Sequence, residues 1–235
     1  MTSKEKTNTS FLKPCLNGLQ LKWIAMSLMV IDHIGAILLS PDTSLYWVCR
    51  FFGRLSFPIF CFLIAEGFTH TRDVKKYIFR LGFFALIAEI PYDLAVSGNI
   101  SDLYNQNVFF TLLLGLISLV LYERFNRKNK RALGFIMVLL CASLAIILGS
   151  DYGAFGVLLI FILYIFRNSW IFRDVTCCGF SAFISSAIAL EWAASLALIP
   201  IHLYNGEKGQ SRMPRWFFYA FYPLHLLVLW LISLL

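Results

Sequence analysis

The chain has 235 residues, of which 59% are hydrophobic and 14% charged, with a formal net charge of +7. An ordinary soluble domain carries roughly 45–50% apolar and about 25% charged residues, so this composition excludes one. It points to an all-α, polytopic integral membrane bundle whose active site, if it has one, lies among the helices or in short loops.

Residues 1–18 are rich in Ser, Thr, Asn and Lys and read as a flexible cytoplasmic tail. They lead without a small-residue cleavage site into an apolar run, the pattern of a signal anchor. From residue 19 to 235 the apolar runs form a single transmembrane domain, with about nine helices predicted near 19–39, 46–68, 74–94, 106–122, 132–149, 153–167, 171–188, 190–204 and 215–234. The stretch 153–167 is short for a span, and the next two runs join at Leu190-Glu191-Trp192 with almost no loop. One segment within 153–204 is therefore expected to be tilted, half-spanning or re-entrant.

The basic residues test this count. Lys4, Lys6, Lys13 and Lys22 precede the first run, and Arg72, Lys75, Lys76 and Arg80 follow the second. Arg124, Arg127, Lys128, Lys130 and Arg131 follow the fourth, Arg167 and Arg173 the sixth, and Lys208, Arg212 and Arg215 the eighth. Of the twenty Lys and Arg residues, all but Arg50 and Arg54 thus fall on one side. The positive-inside rule makes that side, and the N-terminus, cytoplasmic. The +7 charge is a topology signal rather than a sign of nucleic-acid binding. No half of the sequence repeats in the other, which disfavours an inverted-repeat transporter.

Several ionisable residues sit inside the runs. Asp32 and His33 lie past the midpoint of the first, too deep to reach water, where a carboxylate costs about 2.5–3.5 kcal/mol on the lenient insertion scale. Arg50 and Arg54, four apart on the second run, share a face, as do Glu89 and Asp93 on the third. Asn105 and Asn107 open the fourth run, Asp151 and Tyr152 join the fifth and sixth, Glu191 ends the seventh, and His225 lies near the middle of the last. All converge on the outer half of the bundle. A structural role competes with a functional one: Arg50 and Arg54 can pair with Glu89 and Asp93 as interhelical glue, and His225 can be a hydrogen-bonded core histidine. Glu66 and His70 suit an ordinary helix-surface pair.

A buried Asp-His pair beside arginines suits activation of a nucleophile. Neutral imidazole accepts a proton from an amine or hydroxyl, and a carboxylate fixes its tautomer. Adjacent helical residues point about 100° apart, so Glu89 or Asp93 is as good a partner for His33 as Asp32. Arg50, Arg54 or Asn107 are candidate orienting or oxyanion donors. The six cysteines form no CxxC pair, so neither metal nor disulfide is expected, and no GxSxG, HExxH, P-loop or dinucleotide fingerprint is present.

The blocks LKWIAMSLMVIDHIGAIL, GRLSFPIFCFLIAEGFTHT, ALIAEIPYDLA and NVFFTLLLGL, followed in order by DYGAFGVLLI, LYNGEKG and WFFYAFYPLHLL, closely resemble the TraX family of bacterial membrane proteins. The resemblance covers nearly all of the chain except the first eighteen residues and roughly 124–148. It implies a multi-pass protein of the bacterial cytoplasmic membrane that is related to the acyltransferase-3 and heparan glucosaminide acetyltransferase groups. Acetyl-CoA is the acyl donor so implied, and the acceptor is an amine or hydroxyl, on a membrane-inserted pilin or peptide N-terminus or on an envelope glycan. An intramembrane histidine serves such relatives as base, which points to His33 or His225, with Asp32 beside it. The phosphates of acetyl-CoA then need a basic inner mouth, for which Arg72, Lys75, Lys76, Arg80, Lys208, Arg212 and Arg215 are candidates, with the turn at 204–209 adding backbone donors. A small-solute or ion transporter and a non-enzymatic component of a conjugation or secretion machine remain open alternatives.

Overall fold

The structure is a computed structural model describing residues 13–100, 102, 104–185 and 190–235. Most of the tail expected to be flexible, residues 1–12, lies outside them. The remainder of that tail is tied down: the Cys15 and Leu16 amides donate to the Leu203 carbonyl, and Leu16 bridges Tyr204.

Among the described residues ten α-helices follow one another: α1 (Gly18–Leu38), α2 (Ser44–Gly53), α3 (Ser56–His70), α4 (Val74–Val96), α5 (Val108–Asn126), α6 (Arg131–Ile147), α7 (Gly153–Ile165), α8 (Trp170–Ser185), α9 (Leu198–His202) and α10 (Arg215–Ser233). A 3₁₀ segment, Glu191–Ala197, runs directly into α9. The starts are encoded locally. Asn17 and Gln20 form a capping box at α1, while Thr43, Asp73 and Asn107 each offer a side-chain oxygen to an amide in the first turn of α2, α4 and α5.

Two backbone junctions set the direction of travel. Residues 15–18 pair with 203–207 at one end, and Gln106 pairs with Gly149 to Asp151 at the other. The start of α1 thus lies beside 203–207, and the start of α5 beside the junction of α6 and α7. The end where α1 begins is called the N-terminal end below. α3, α5 and α7 form the centre of the core. α6 and α10 bury one stripe and leave Leu139, Leu140, Ile146, Ile147, Val228 and Leu231 exposed, a surface suited to lipid rather than water.

Among the described residues four segments are long and apolar enough to cross a membrane: α1, α2 with α3, α5 and α10. Two details differ from the sequence expectation. The second run is not one helix; it breaks at Arg54-Leu55, where Ser56 Oγ turns to donate to the Ala25 carbonyl at 2.8 Å. The stretch 190–204 is not a span. Seven 3₁₀ and five α residues extend about 21 Å, short of a hydrocarbon layer of about 30 Å, and they pack on α3 and α8 instead. The 13 residues of α7 extend only about 20 Å, so the short element expected within 153–204 is present twice.

Candidate functional site

The break between α2 and α3 brings two arginines to the carboxylate of α1. Arg50 Nη1 donates to Asp32 Oδ2 at 2.6 Å, and Arg54 Nη2 lies 3.6 Å from Asp32 Oδ1. Arg54 also donates through Nη1 to Glu191 Oε1 at 2.7 Å. Glu191 is 2% exposed at the head of the 3₁₀ segment. Two cations and two anions thus cancel in a buried chain that joins α1, α2 and the half-spanning element. The approach depends on small residues: a Cβ on Gly53 would fall 2.1 Å from Asp32 Oδ1, and one on Gly35 2.7 Å from the Cys49 Cβ. The expected pairing of Arg54 with Glu89 or Asp93 does not occur, because the break in the second run turns Arg54 toward Asp32 and Glu191.

His33, one residue on, faces elsewhere. Its Nδ1 lies 2.7 Å from His225 Nε2, and His225 Nδ1 lies 2.9 Å from the Phe221 carbonyl. The tautomers follow from donor chemistry. A carbonyl only accepts, so His225 Nδ1 carries the proton and Nε2 of the neutral ring is an acceptor. His33 must then donate from Nδ1, which leaves its Nε2 with a free lone pair. Phe221 stacks on the His225 ring at 5.2 Å and holds its plane. None of Asp32, Glu89 and Asp93 orients His33; His225 does, because α1 and α10 pack side by side.

His33 borders a cavity of about 80 Å³ that is graded along the bundle. Toward the N-terminal end its wall is Met29, Phe60, Leu112 and Phe218; toward the other end it is Asp32, His33, Ser56, Asp151, Tyr152 and Tyr222. Tyr152 takes a left-handed backbone conformation at φ 62° and stacks on Phe57 at 3.6 Å, closing the polar end. The volume admits several waters or a group of acetyl size, well below the roughly 300–1,000 Å³ of pockets that enclose whole ligands. Arg50 and Arg54 border no part of it, so they hold Asp32 rather than reach a reacting atom.

The remaining expectations separate. Glu89, Asp93 and Asn107 form their own cluster, in which Asn107 Nδ2 donates to Glu89 Oε2. Arg72, Lys75 and Lys76 are exposed at the start of α4. Arg80 lies over the Tyr77 ring at 5.7 Å and beside Tyr219 of α10. Lys208 and Arg212 are exposed on the loop that covers the start of α1, where the Lys208 carbonyl sits 3.3 Å from the place of a Gly18 Cβ. All are at the N-terminal end, but only Arg80 is packed into the bundle. Glu66 and His70 do pair at 3.4 Å, with Tyr204 donating to Glu66 at 3.1 Å. All six cysteines are free, Cys15 and Cys178 exposed and the other four buried.

Sequence reasoning missed Ser56 and Tyr222 as cavity residues, although both lie one turn from a flagged group. It also missed a second polar cluster, in which Asp174 pairs with His202 and, at 3.0 Å, with Arg173. The only signal for that cluster was an Arg-Asp dipeptide inside an apolar stretch.

Residues 17–233 match the TraX protein family. The chain belongs to the TraX family. Among curated proteins this TraX chain is 30% identical, over 234 residues, to a probable fimbrial assembly protein FimC, serogroup H1, of Dichelobacter nodosus. The likeness covers 91% of the TraX chain and 94% of that relative. No solved structure matches it.

Proposed function

We propose that this TraX family protein is a membrane-embedded acyltransferase of the bacterial cytoplasmic membrane, with its N-terminal end in the cytoplasm, that moves the acetyl group of acetyl-CoA to an amine or hydroxyl acceptor. One observation carries the reading: His33 is held by His225 in the tautomer that leaves Nε2 free, on a cavity of acetyl size.

His33 Nε2 removes a proton from the acceptor as its nitrogen or oxygen attacks the thioester carbonyl. The imidazolium so formed keeps its Nδ1–H on His225. Tyr152 and Tyr222 supply hydroxyl donors in the same cavity for the developing oxyanion. When the carbon–sulfur bond breaks, the thiolate takes the proton back from Nε2, and His33 returns to its starting state. The acetyl thioester fits the cavity and the nucleotide does not, so the phosphates stay at the basic N-terminal end, near Arg80, Lys208 and Arg212. The fimbrial-assembly name of the Dichelobacter relative favours a pilin or other peptide N-terminus as acceptor.

The test is incubation of purified protein with acetyl-labelled CoA and a bacterial membrane extract. Transfer of label by the wild type and its loss in His33→Ala support the reading. No transfer to any component, or equal transfer by the variant, overturns it.

A further inference from the structure

Glu89 and Asp93 stand one turn apart on α4, at the end away from the N-terminus, and the mechanism uses neither. Asp93 is 2% exposed. Its Oδ2 accepts the Asp102 amide at 2.9 Å, while its buried Oδ1 has no hydrogen-bond donor among the described residues. Glu89 repeats the arrangement, with Oε2 on the Asn107 amide and a buried Oε1 that has no donor among the described residues. Asn107 is 0% exposed and has nothing more to give, since Nδ2 also donates to the Ala85 carbonyl at 2.8 Å and Oδ1 accepts the Phe109 amide at 3.0 Å. Asp102 is likewise engaged, by Ser97, Tyr104 and Asn105.

Elsewhere Asp32 and Glu191 meet arginines, and Asp174 meets Arg173 and His202. Among the described residues no Lys, Arg or His nitrogen comes within 4.0 Å of Glu89 or Asp93. Two neighbouring carboxylates with unsolvated oxygens repel each other and lack compensation, so a proton or a bound cation must supply positive charge. Among the described residues no three His, Cys, Asp or Glu side chains are placed to hold a metal. Two carboxylate oxygens without a third acidic ligand suit a single positive charge better than a divalent ion.

We propose that Glu89 Oε1 and Asp93 Oδ1 form a binding site for one monovalent cation, an alkali-metal ion or a protonated primary amine, apart from the acyl-transfer cavity. A ligand that binds only the folded state raises its stability in a saturable way. Thermal unfolding of the purified full-length protein is therefore followed at constant ionic strength, with choline chloride replaced stepwise by sodium, potassium or methylammonium chloride. Choline is bulky and has no N–H to donate. The expected result is a saturable rise in Tm with at least one of the three, and a half-saturating concentration raised at least about tenfold in Glu89→Gln and Asp93→Asn, as loss of a charged ligand predicts. Response to sodium or potassium alone identifies an alkali-ion site, and response to methylammonium alone an amine site. If Asp93→Asn does not fold, Glu89→Gln decides the matter. No saturable rise over choline, or an unchanged rise in Glu89→Gln, overturns the proposal; the carboxylates then hold a proton.

Discussion

Nδ1 of His33 lies 2.7 Å from Nε2 of His225, so the first and last long helices share one hydrogen bond. The Phe221 carbonyl at the far side of His225 sets the direction of the whole relay. The two histidines are therefore unequal: His33 keeps the unengaged ring nitrogen and borders the cavity, while both nitrogens of His225 are engaged.

That inequality is measurable. His33→Ala is expected to lower acetyl transfer about 10²–10⁴-fold, the usual contribution of a positioned base, and His33→Gln not to restore it, because an amide cannot take the proton. His225→Ala is expected to cost less, and His225→Gln to recover part of that loss, because its carbonyl oxygen can still accept from His33 Nδ1. Steady-state rates at matched protein levels check this; full activity in His33→Ala would move the base elsewhere.

Arg54→Ala is expected to destabilise the protein strongly, by about 3–5 kcal/mol on the soluble-protein scale, because it leaves Glu191 buried and uncompensated. Adding Glu191→Gln is expected to recover much of the loss, and adding Asp93→Asn to recover none. Denaturant or thermal unfolding of the two double variants distinguishes the pairing seen here from one with Asp93.

Gly53→Ala places a methyl group where the Asp32 carboxylate now sits, 2.1 Å from Oδ1. The expected cost is about 1–3 kcal/mol, typical of overpacking, together with reduced transfer as Asp32 and the cavity wall shift. Gly179→Ala, which meets nothing within 4 Å, is the control. Equal Tm values for the two variants would mean that α1 and α2 do not approach so closely.

The loop between α4 and α5 is expected to respond to acid. Hydrogen bonds from Asn105, the Tyr104 amide and Ser97 hold the Asp102 carboxyl below the usual carboxylate range. A depressed folded-state pKa contributes stability above the unfolded value, about 3.9, and that contribution is lost as pH falls through the folded value. The protection factors of the amides of Asp102 and Tyr104, measured against the intrinsic exchange rate at each pH, are expected to fall below about pH 4, and that pH dependence to flatten in Asp102→Asn.

Sidedness is tested by labelling. In a Cys15→Ser, Cys178→Ser background, a membrane-impermeant thiol reagent applied to intact cells is expected to reach Asn99→Cys and not Asn129→Cys. Both positions are exposed and lie at opposite ends of the bundle. Equal labelling of the two would contradict a cytoplasmic N-terminal end.

The run lengths and apolar composition determined the class of this protein, an all-helical membrane bundle, because lipid demands apolar helices whose backbone groups are satisfied internally. Asp32, His33, Arg50, Arg54 and His225 were legible as candidates because each is an ionisable group inside an apolar run. The partners were not legible. Helical periodicity limits which residues on one helix share a face, but it does not say which helix that face meets. Only the tertiary structure turned Arg54 to Glu191 instead of Asp93, since the break at Arg54-Leu55 and the glycines at 35 and 53 set how closely α1 and α2 cross. Only the packing of α10 on α1 made His225, 192 positions away, the partner of His33. The short segment at 191–202 was readable as irregular, yet its use as a buried arm carrying Glu191 depended on a contact with Arg54, 137 positions away in sequence, that no local pattern records.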